Sequence, residues 1–352
     1  QRLRDLLEGR TEQLKRTRQK LRDARDTLYG HFGYQGLVGT SGPMRRVYAL
    51  VDRVKDTDVP VLITGESGTG KEVVARAIHN ASARGKAKML GVNCGAIPEN
   101  LLESELFGHV RGAFTGADRE RKGLFRESEG GSLLLDEIGE MPFKMQAALL
   151  RVLQEKCVRP VGGNDEQPVD VRVLFATNRD LERMVKEGKF REDLYYRIHV
   201  VEIHLPALRE RAEDVPQLVD YFLGLFAARY KREKKNVSRD ALRRLQAYGW
   251  PGNVRQLEHV LLNAWVMSED QELLAEDLEL PDGFRSAEDR AQAAAPAARP
   301  VKKGTASQHR RDEREVILEA LRSCNWNRVK AAELSGIPRR TFYRRLREYG
   351  IQ

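Results

Sequence analysis

Two short stretches of this sequence hold residue types able to bind and cleave a phosphoanhydride. GESGTGKE (65–72) follows the apolar run VLIT and opens a stretch of helical pattern. In that setting the glycines let the backbone amides of Gly65, Glu66, Ser67, Gly68, Thr69 and Gly70 turn inward on phosphate oxygens. Lys71 then reaches the β- and γ-oxygens, and the helix N-terminus adds a favourable dipole. The hydroxyl residue usual after the lysine is replaced by Glu72, so a Mg²⁺ ion at this place relies on Asp136 and water.

The second stretch, GGSLLLDE (130–137), reads as a buried strand ending in two acids at its C-terminal edge, where ligands bind in parallel sheets. Asp136 is placed to hold the Mg²⁺ and Glu137 to act as general base on an attacking water. Asn178 ends the apolar run VRVLFATN (171–178) and is a candidate contact to the γ-phosphate or the water. Arg191 and Arg197, in FREDLYYR, are by type either surface ion-pair formers or, in a ring ATPase, groups that complete a neighbour's site. Arg255, in WPGNVRQLE (250–258), belongs to a helical region and can pull it closed on nucleotide. Pro251 and Gly252 read as a turn and Asn253 as a helix cap.

Between these motifs lies ESELFGHVRGAFTGA (103–117). Its centre, Gly112-Ala113-Phe114-Thr115-Gly116-Ala117, puts an aromatic and a hydroxyl on a glycine-flanked hinge. This is the composition of a mobile loop offering an apolar side chain to a partner surface.

The elements that must position these groups follow from the pattern. From 36 to 205, apolar runs (VPVLIT 59–64, GSLLLD 131–136, VRVLFATN 171–178) alternate with helical stretches (71–80, 144–154), so the fold class is α/β: a parallel P-loop sheet covered on both faces. From 206 to 281 the pattern turns purely helical, as a lid subdomain would. Residues 282–306 read as a flexible linker. Residues 307–352 end in WNRVKAAELSGIPRRTFYRRLREYG, a helix, the turn Ser335-Gly336-Ile337 and a second helix opened by Pro338. Val329, Ala332, Leu334, Ile337, Phe342, Leu346 and Tyr349 form its expected small core. Its second helix carries Arg339, Arg340, Thr341, Tyr343, Arg344, Arg345 and Arg347, able to enter a DNA major groove. In residues 1–35, Leu7, Leu14, Leu21 and Leu28 recur every seventh position, but the companion seam is polar. That helix either pairs with its twin or packs on the ATPase.

Composition sets bounds on these readings. In 352 residues, 41% are hydrophobic and 32% charged, which suits folded domains with polar linkers. No apolar run approaches the roughly 20 residues of a membrane span. The chain begins at Gln1 and shows no leader, so it reads as a fragment. Cys94, Cys157 and Cys324 are scattered, favouring neither a disulfide framework nor a zinc site, and a reducing cytoplasm is expected. Of the net charge of +9, residues 301–352 supply +7, a mark of a polyanion partner or of a solvated surface.

Taken in order, GESGTGKE, LLESELFGHVRGAFTGA, GGSLLLDEIGEM, ATNRDL, FREDLYYR and WPGNVRQLE closely resemble the sigma-54 activator family, the bacterial enhancer-binding proteins of the NtrC type, over residues 36 to 280. The C-terminal segment resembles the Fis-type helix-turn-helix of the same family, which also shares the glutamate at position 72. The resemblance implies a hexameric or heptameric AAA+ ring, dimeric when inactive, with ATP and Mg²⁺ sites between subunits. Asn93 matches the asparagine switch restraining the catalytic glutamate, Arg191 and Arg197 the trans-acting arginines, Asn178 the first sensor and Arg255 the second. The GAFTGA loop would engage the sigma-54 RNA polymerase holoenzyme, supported by a second loop, VGGNDEQPVD (161–170). The helix-turn-helix would hold upstream activating DNA. A phospho-acceptor domain of a two-component system, or a ligand-sensing domain, would lie before Gln1.

Overall fold

Apolar runs rich in Val, Leu and Ile become short strands, numbered here along the chain: β1 (Val61–Thr64), β2 (Met89–Asn93), β3 (Gly108–His109), β4 (Arg121–Lys122), β5 (Ser132–Asp136), β6 (Cys157–Val158), β7 (Gln167–Pro168), β8 (Arg172–Thr177) and β9 (Val201–His204). The computed structural model describes residues 36–114 and 117–280, together with Leu318, Glu319, Leu321, Ala331 and Phe342. The chain divides into two compact units, Gln1–Ser286 and Ala287–Gln352.

In the first unit, β1, β2, β5, β8 and β9 form one sheet in the order β2-β5-β8-β1-β9, parallel throughout. β3 with β4, and β6 with β7, are small antiparallel pairs. Successive side chains of a strand point to opposite faces, so a sheet covered on both sides needs apolar residues at every position. Leu133, Leu135, Val173 and Phe175 accordingly enter one core with Leu102, Leu106 and Leu149, from helices Glu99–Phe107 and Phe143–Glu155. Leu134, Leu174 and Ala176 enter the other, with Val47 and Val51 of helix Gly42–Val54 and Val74 and Ile78 of helix Lys71–Ala81. Each fully buried Leu or Phe contributes on the order of 2 kcal/mol through removal of its apolar area from water.

A third core begins at Leu208 and joins helices Val215–Tyr230, Arg239–Ala247 and Asn253–Met267 around Trp250 and Trp265. This lid is not purely helical, contrary to the sequence expectation. Lys231 closes the first helix in the left-handed conformation, and the chain then extends so that Asn236–Val237 pairs in parallel with Glu272–Leu273. A two-residue strand has too little periodicity to stand out in a sequence.

In the second unit Leu321, Ala331 and Phe342 are helical and buried. Phe342 was among the expected core residues; Leu321 and Ala331 were not. The segment 1–35, the linker 282–306, the other expected core positions and the groove-reading set Arg339, Arg340, Thr341, Tyr343, Arg344, Arg345 and Arg347 lie outside the described residues, as do Thr115 and Gly116. Among the described residues, no helix is long and apolar enough to cross a membrane.

Candidate active site

Parallel register gathers the chemistry at one edge of the sheet. Asn93 at the end of β2 stands opposite Asp136 at the end of β5, and Thr64 of β1 stands opposite Thr177 of β8. The loop after β1 and the acids after β5 therefore share the carboxyl edge, where such sheets bind ligands.

The phosphate loop leaves β1 at Gly65 and enters helix Lys71–Ala81 through Gly70, whose φ of 105° is left-handed and favours glycine. Gly68 is required for a second reason: a Cβ there would lie 2.4 Å from the carbonyl oxygen of Gly252. Loop and lid thus touch backbone to backbone. Lys71 is buried, its Nζ donating to the carbonyls of Gly65 (2.8 Å) and Glu66 (3.1 Å). Burial lowers its pKa, opposed by the charges of Asp136 and Glu137. Burial likewise raises that of Asp136, although the amide of Glu137 donates to Asp136 Oδ1 at 3.0 Å. Each group pays desolvation for its charge, and an anion beside the ammonium with a cation beside the carboxylate offsets both penalties. The donor set therefore fits a phosphate chain carrying a magnesium ion.

Both groups line a cleft of ≈ 570 Å³ between sheet and lid. Ser67 to Glu72, Asp136, Glu137, Arg211 and Arg255 form its polar wall; Leu37, Val38, Met44, Leu218, Phe222 and Val254 form an apolar one. A polar end for phosphates beside an apolar slot for a base is the chemistry of a nucleotide site. Sequence reasoning missed Arg211. It is buried, donates through Nη2 to the carbonyl of Thr69 (3.0 Å), and has an Nε without a partner. Its neighbour Asp214 is fully buried and accepts from the amides of Thr40 (2.7 Å) and Ser41 (2.8 Å) and from Ser41 Oγ (2.5 Å). These contacts span more than 140 positions and leave no local signal.

Glu137 follows β5 at φ 52°, a left-handed turn unusual for a non-glycine residue, and its Oε2 lies 3.0 Å from where a Cβ on Gly95 would stand. The Asn93 side chain accepts from the amides of Gly95 (2.9 Å) and Ala96 (3.1 Å). Asn93 and Glu137 thus meet around one turn without a direct hydrogen bond between them. Asn178 is exposed just past β8. Glu72 pairs with Arg76 at 2.6 Å, and Arg255 Nη1 lies 3.3 Å from Ser67 Oγ. Arg191 and Arg197 do not line their own chain's cleft. Asp193 holds the Arg191 guanidinium at 2.7 and 3.0 Å, and Arg197 donates to the carbonyl of Leu153 (3.0 Å).

Asn253 departs from its expected role as a helix cap. Gly252 is the N-cap, and Asn253 takes φ 50° so that its side chain can reach the sheet domain. Its Oδ1 accepts from the amide of Leu208 (2.8 Å), and its Nδ2 donates to Glu66 Oε2 and to the carbonyl of Ser67, both at 3.0 Å.

From the turn at Asn93, helix Glu99–Phe107 leads through β3 to the glycine-hinged loop. Gly112 is left-handed at φ 82°, and its amide closes the loop on the carbonyl of Ala117 (2.8 Å). Ala113 packs on the second loop: a Cβ at Gly162 would fall 2.8 Å from Ala113 Cβ. Ala117 is buried, whereas Phe114 is 38% exposed.

A parallel sheet of this strand order, a phosphate loop after β1, an acid pair after β5 and a mostly helical lid define a AAA+ P-loop ATPase domain. The Sigma-54 interaction domain matches residues 37–204, the AAA+ ATPase lid domain 209–296, and the bacterial regulatory proteins of the Fis family 310–349. The chain is 47% identical to the transcriptional regulatory protein FlbD of Caulobacter vibrioides, covering 88% of this chain and 70% of that one. It is 43% identical to the regulatory protein AtoC of Escherichia coli, covering 99% and 75%. Crystalline NtrX of Brucella abortus in complex with ATP superposes with a TM-score of 0.65 at 32% identity, over 97% of this chain and 74% of that one. The chain belongs to the sigma-54-dependent transcriptional activators, the bacterial enhancer-binding proteins.

Proposed function

We propose that this protein is an ATP-driven activator that assembles into a hexameric or heptameric ring, dimeric when inactive, and remodels the closed complex of sigma-54 RNA polymerase into an open one. The observation that carries the reading is the half-exposed Phe114 on a loop joined, through helix Glu99–Phe107 and the Gly95 turn, to the Glu137 carboxylate. Chemistry at the acid pair and movement of an aromatic thereby share one chain of contacts.

In the reaction, Lys71 and the loop amides hold the phosphates in line; Asp136 would hold a Mg²⁺ ion, which would supply charge neutralisation at the phosphates. Glu137 takes the proton of a water whose oxygen attacks the γ-phosphorus, and the bond to the bridging oxygen breaks to release ADP. Asn178 orients the water, and Asn93 fixes the turn against which Glu137 rests. Arg191 and Arg197 stabilise the transferring phosphoryl group in the neighbouring subunit, in keeping with their absence from their own cleft. ATP as the nucleotide is supported by the NtrX complex.

Residues 36–205 and 206–281 work as motor and lid. The linker 282–306 lets the Fis-type unit, 307–352, hold upstream DNA through Arg339, Arg340, Thr341, Tyr343, Arg344 and Arg345, and segment 1–35 connects to a regulatory input. The site of action is the cytoplasm.

Retention of sigma-54 on the immobilised protein tests this reading. Capture only with ADP and aluminium fluoride, a mimic of the transferring phosphoryl group, supports it; equal capture without nucleotide would overturn it.

A further inference from the structure

The phosphate loop carries a carboxylate of its own, which is an electrostatic oddity. A loop built to take up a polyphosphate gains nothing from a fixed negative charge, since like charges repel over these distances. Glu66 is nevertheless charged: hydrogen bonds from Arg209 and Asn253 hold its carboxyl down to about 2. Arg209 forks onto it, Nη1 to Oε2 at 2.9 Å and Nη2 to Oε1 at 2.6 Å, the bidentate geometry that a lysine cannot reproduce. Asn253 donates to the same Oε2 at 3.0 Å.

The two donors come from different places. Arg209 lies in the segment Leu208–Asp214 that carries the chain from the sheet into the lid, and Asn253 opens the lid helix that bears Arg255. Two attachments of the lid, one from each of these segments, therefore converge on one side chain of the phosphate loop. The left-handed backbone of Asn253, φ 50°, turns its side chain toward this contact. Next to it, the amide of Arg255 lies 3.3 Å from the carbonyl of Gly68.

We propose that Glu66 is a positioning residue: its carboxylate latches the lid to the phosphate loop and so sets Arg255 at the phosphates, while Arg209 cancels a charge that would otherwise repel nucleotide. The proposal rests on the ATPase reading above and adds a residue pair to it.

The two roles separate in a double-mutant cycle of Glu66→Gln, Arg209→Ala and the double variant. The readouts are affinity for a fluorescent ATP analogue, kcat and KM for ATP, and melting temperature. Arg209→Ala leaves an unpaired carboxylate in an anion-binding loop and weakens nucleotide binding by roughly fivefold, the upper end for a half-exposed pair. Adding Glu66→Gln to it brings affinity back to within about twofold of wild type. kcat falls several-fold in each single variant and no further in the double one, while all melt alike. A merely structural role would lower melting and leave no such recovery. A double variant that binds nucleotide as weakly as Arg209→Ala, or wild-type kcat in both single variants, overturns the proposal. The affinity arm needs no turnover, so an inactive wild-type protein would sink the ATPase reading alone and leave the latch to be decided by binding.

Discussion

The Phe114 ring meets the His109 imidazole edge-on, with 5.0 Å between centroids and 62° between planes. His109 is buried, with Nδ1 2.6 Å from Ser104 Oγ, so the aromatic of the glycine-hinged loop rests on helix Glu99–Phe107. The sequence offered no packing role for Phe114, and the structure supplies one partner. An edge-on contact of a ring still 38% exposed contributes about 1 kcal/mol. Phe114→Leu is therefore expected to melt near wild type and retain most ATP hydrolysis while losing promoter opening, and Thr115→Ala likewise. Loss of ATPase and folding together would mark Phe114 as a core aromatic.

Glu137→Gln keeps the shape of the side chain and removes its basicity. Nucleotide binding should persist while steady-state hydrolysis falls by about 10²-fold or more. Near-normal turnover by the purified variant would contradict Glu137 as the base.

Among the described residues, Arg197 donates to the carbonyl of Leu153 and does not line its own chain's cleft. Arg197→Ala should abolish hydrolysis and spare nucleotide affinity. Mixing it with Glu137→Gln subunits should restore some turnover, because each supplies the half-site that the other lacks. No recovery in rings shown by mass to be mixed would place the arginine's action within its own subunit.

Asp214 is a matter of stability. Removing its carboxylate orphans the buried Ser41 amide and hydroxyl and the half-buried Thr40 amide. It also leaves the buried Arg211 guanidinium without its nearby negative charge. Asp214→Ala should cost about 3 kcal/mol in urea unfolding, and a loss below about 1 kcal/mol would show that the segment 39–41 is tethered by other means.

The α/β class was legible because its central strands, Ser132–Asp136 and Arg172–Thr177, are continuous apolar runs. β2 and β9 escaped notice for the converse reason. As edge strands they are half exposed, and Gly91, Glu202 and His204 interrupt their apolar character. The phosphate loop and acid pair were readable since their chemistry is packed into eight consecutive residues each. Arg211, Asp214 and the Glu66–Arg209 pair were not, because their meaning lies in contacts more than 140 positions apart. Asn253 looked like a cap from its place before a helix; only the left-handed backbone turns its side chain toward the phosphate loop.

The most direct test of an ATP-driven remodeller is open-complex formation, followed by permanganate reactivity of the melted strand, on a sigma-54 promoter beside a sigma-70 promoter. Melting of the sigma-54 promoter alone, dependent on hydrolysable ATP and lost in both Glu137→Gln and Phe114→Leu, is the result expected. Melting that proceeds without ATP hydrolysis, or with Phe114→Leu as well as with wild type, would contradict the central claim that this site drives that loop.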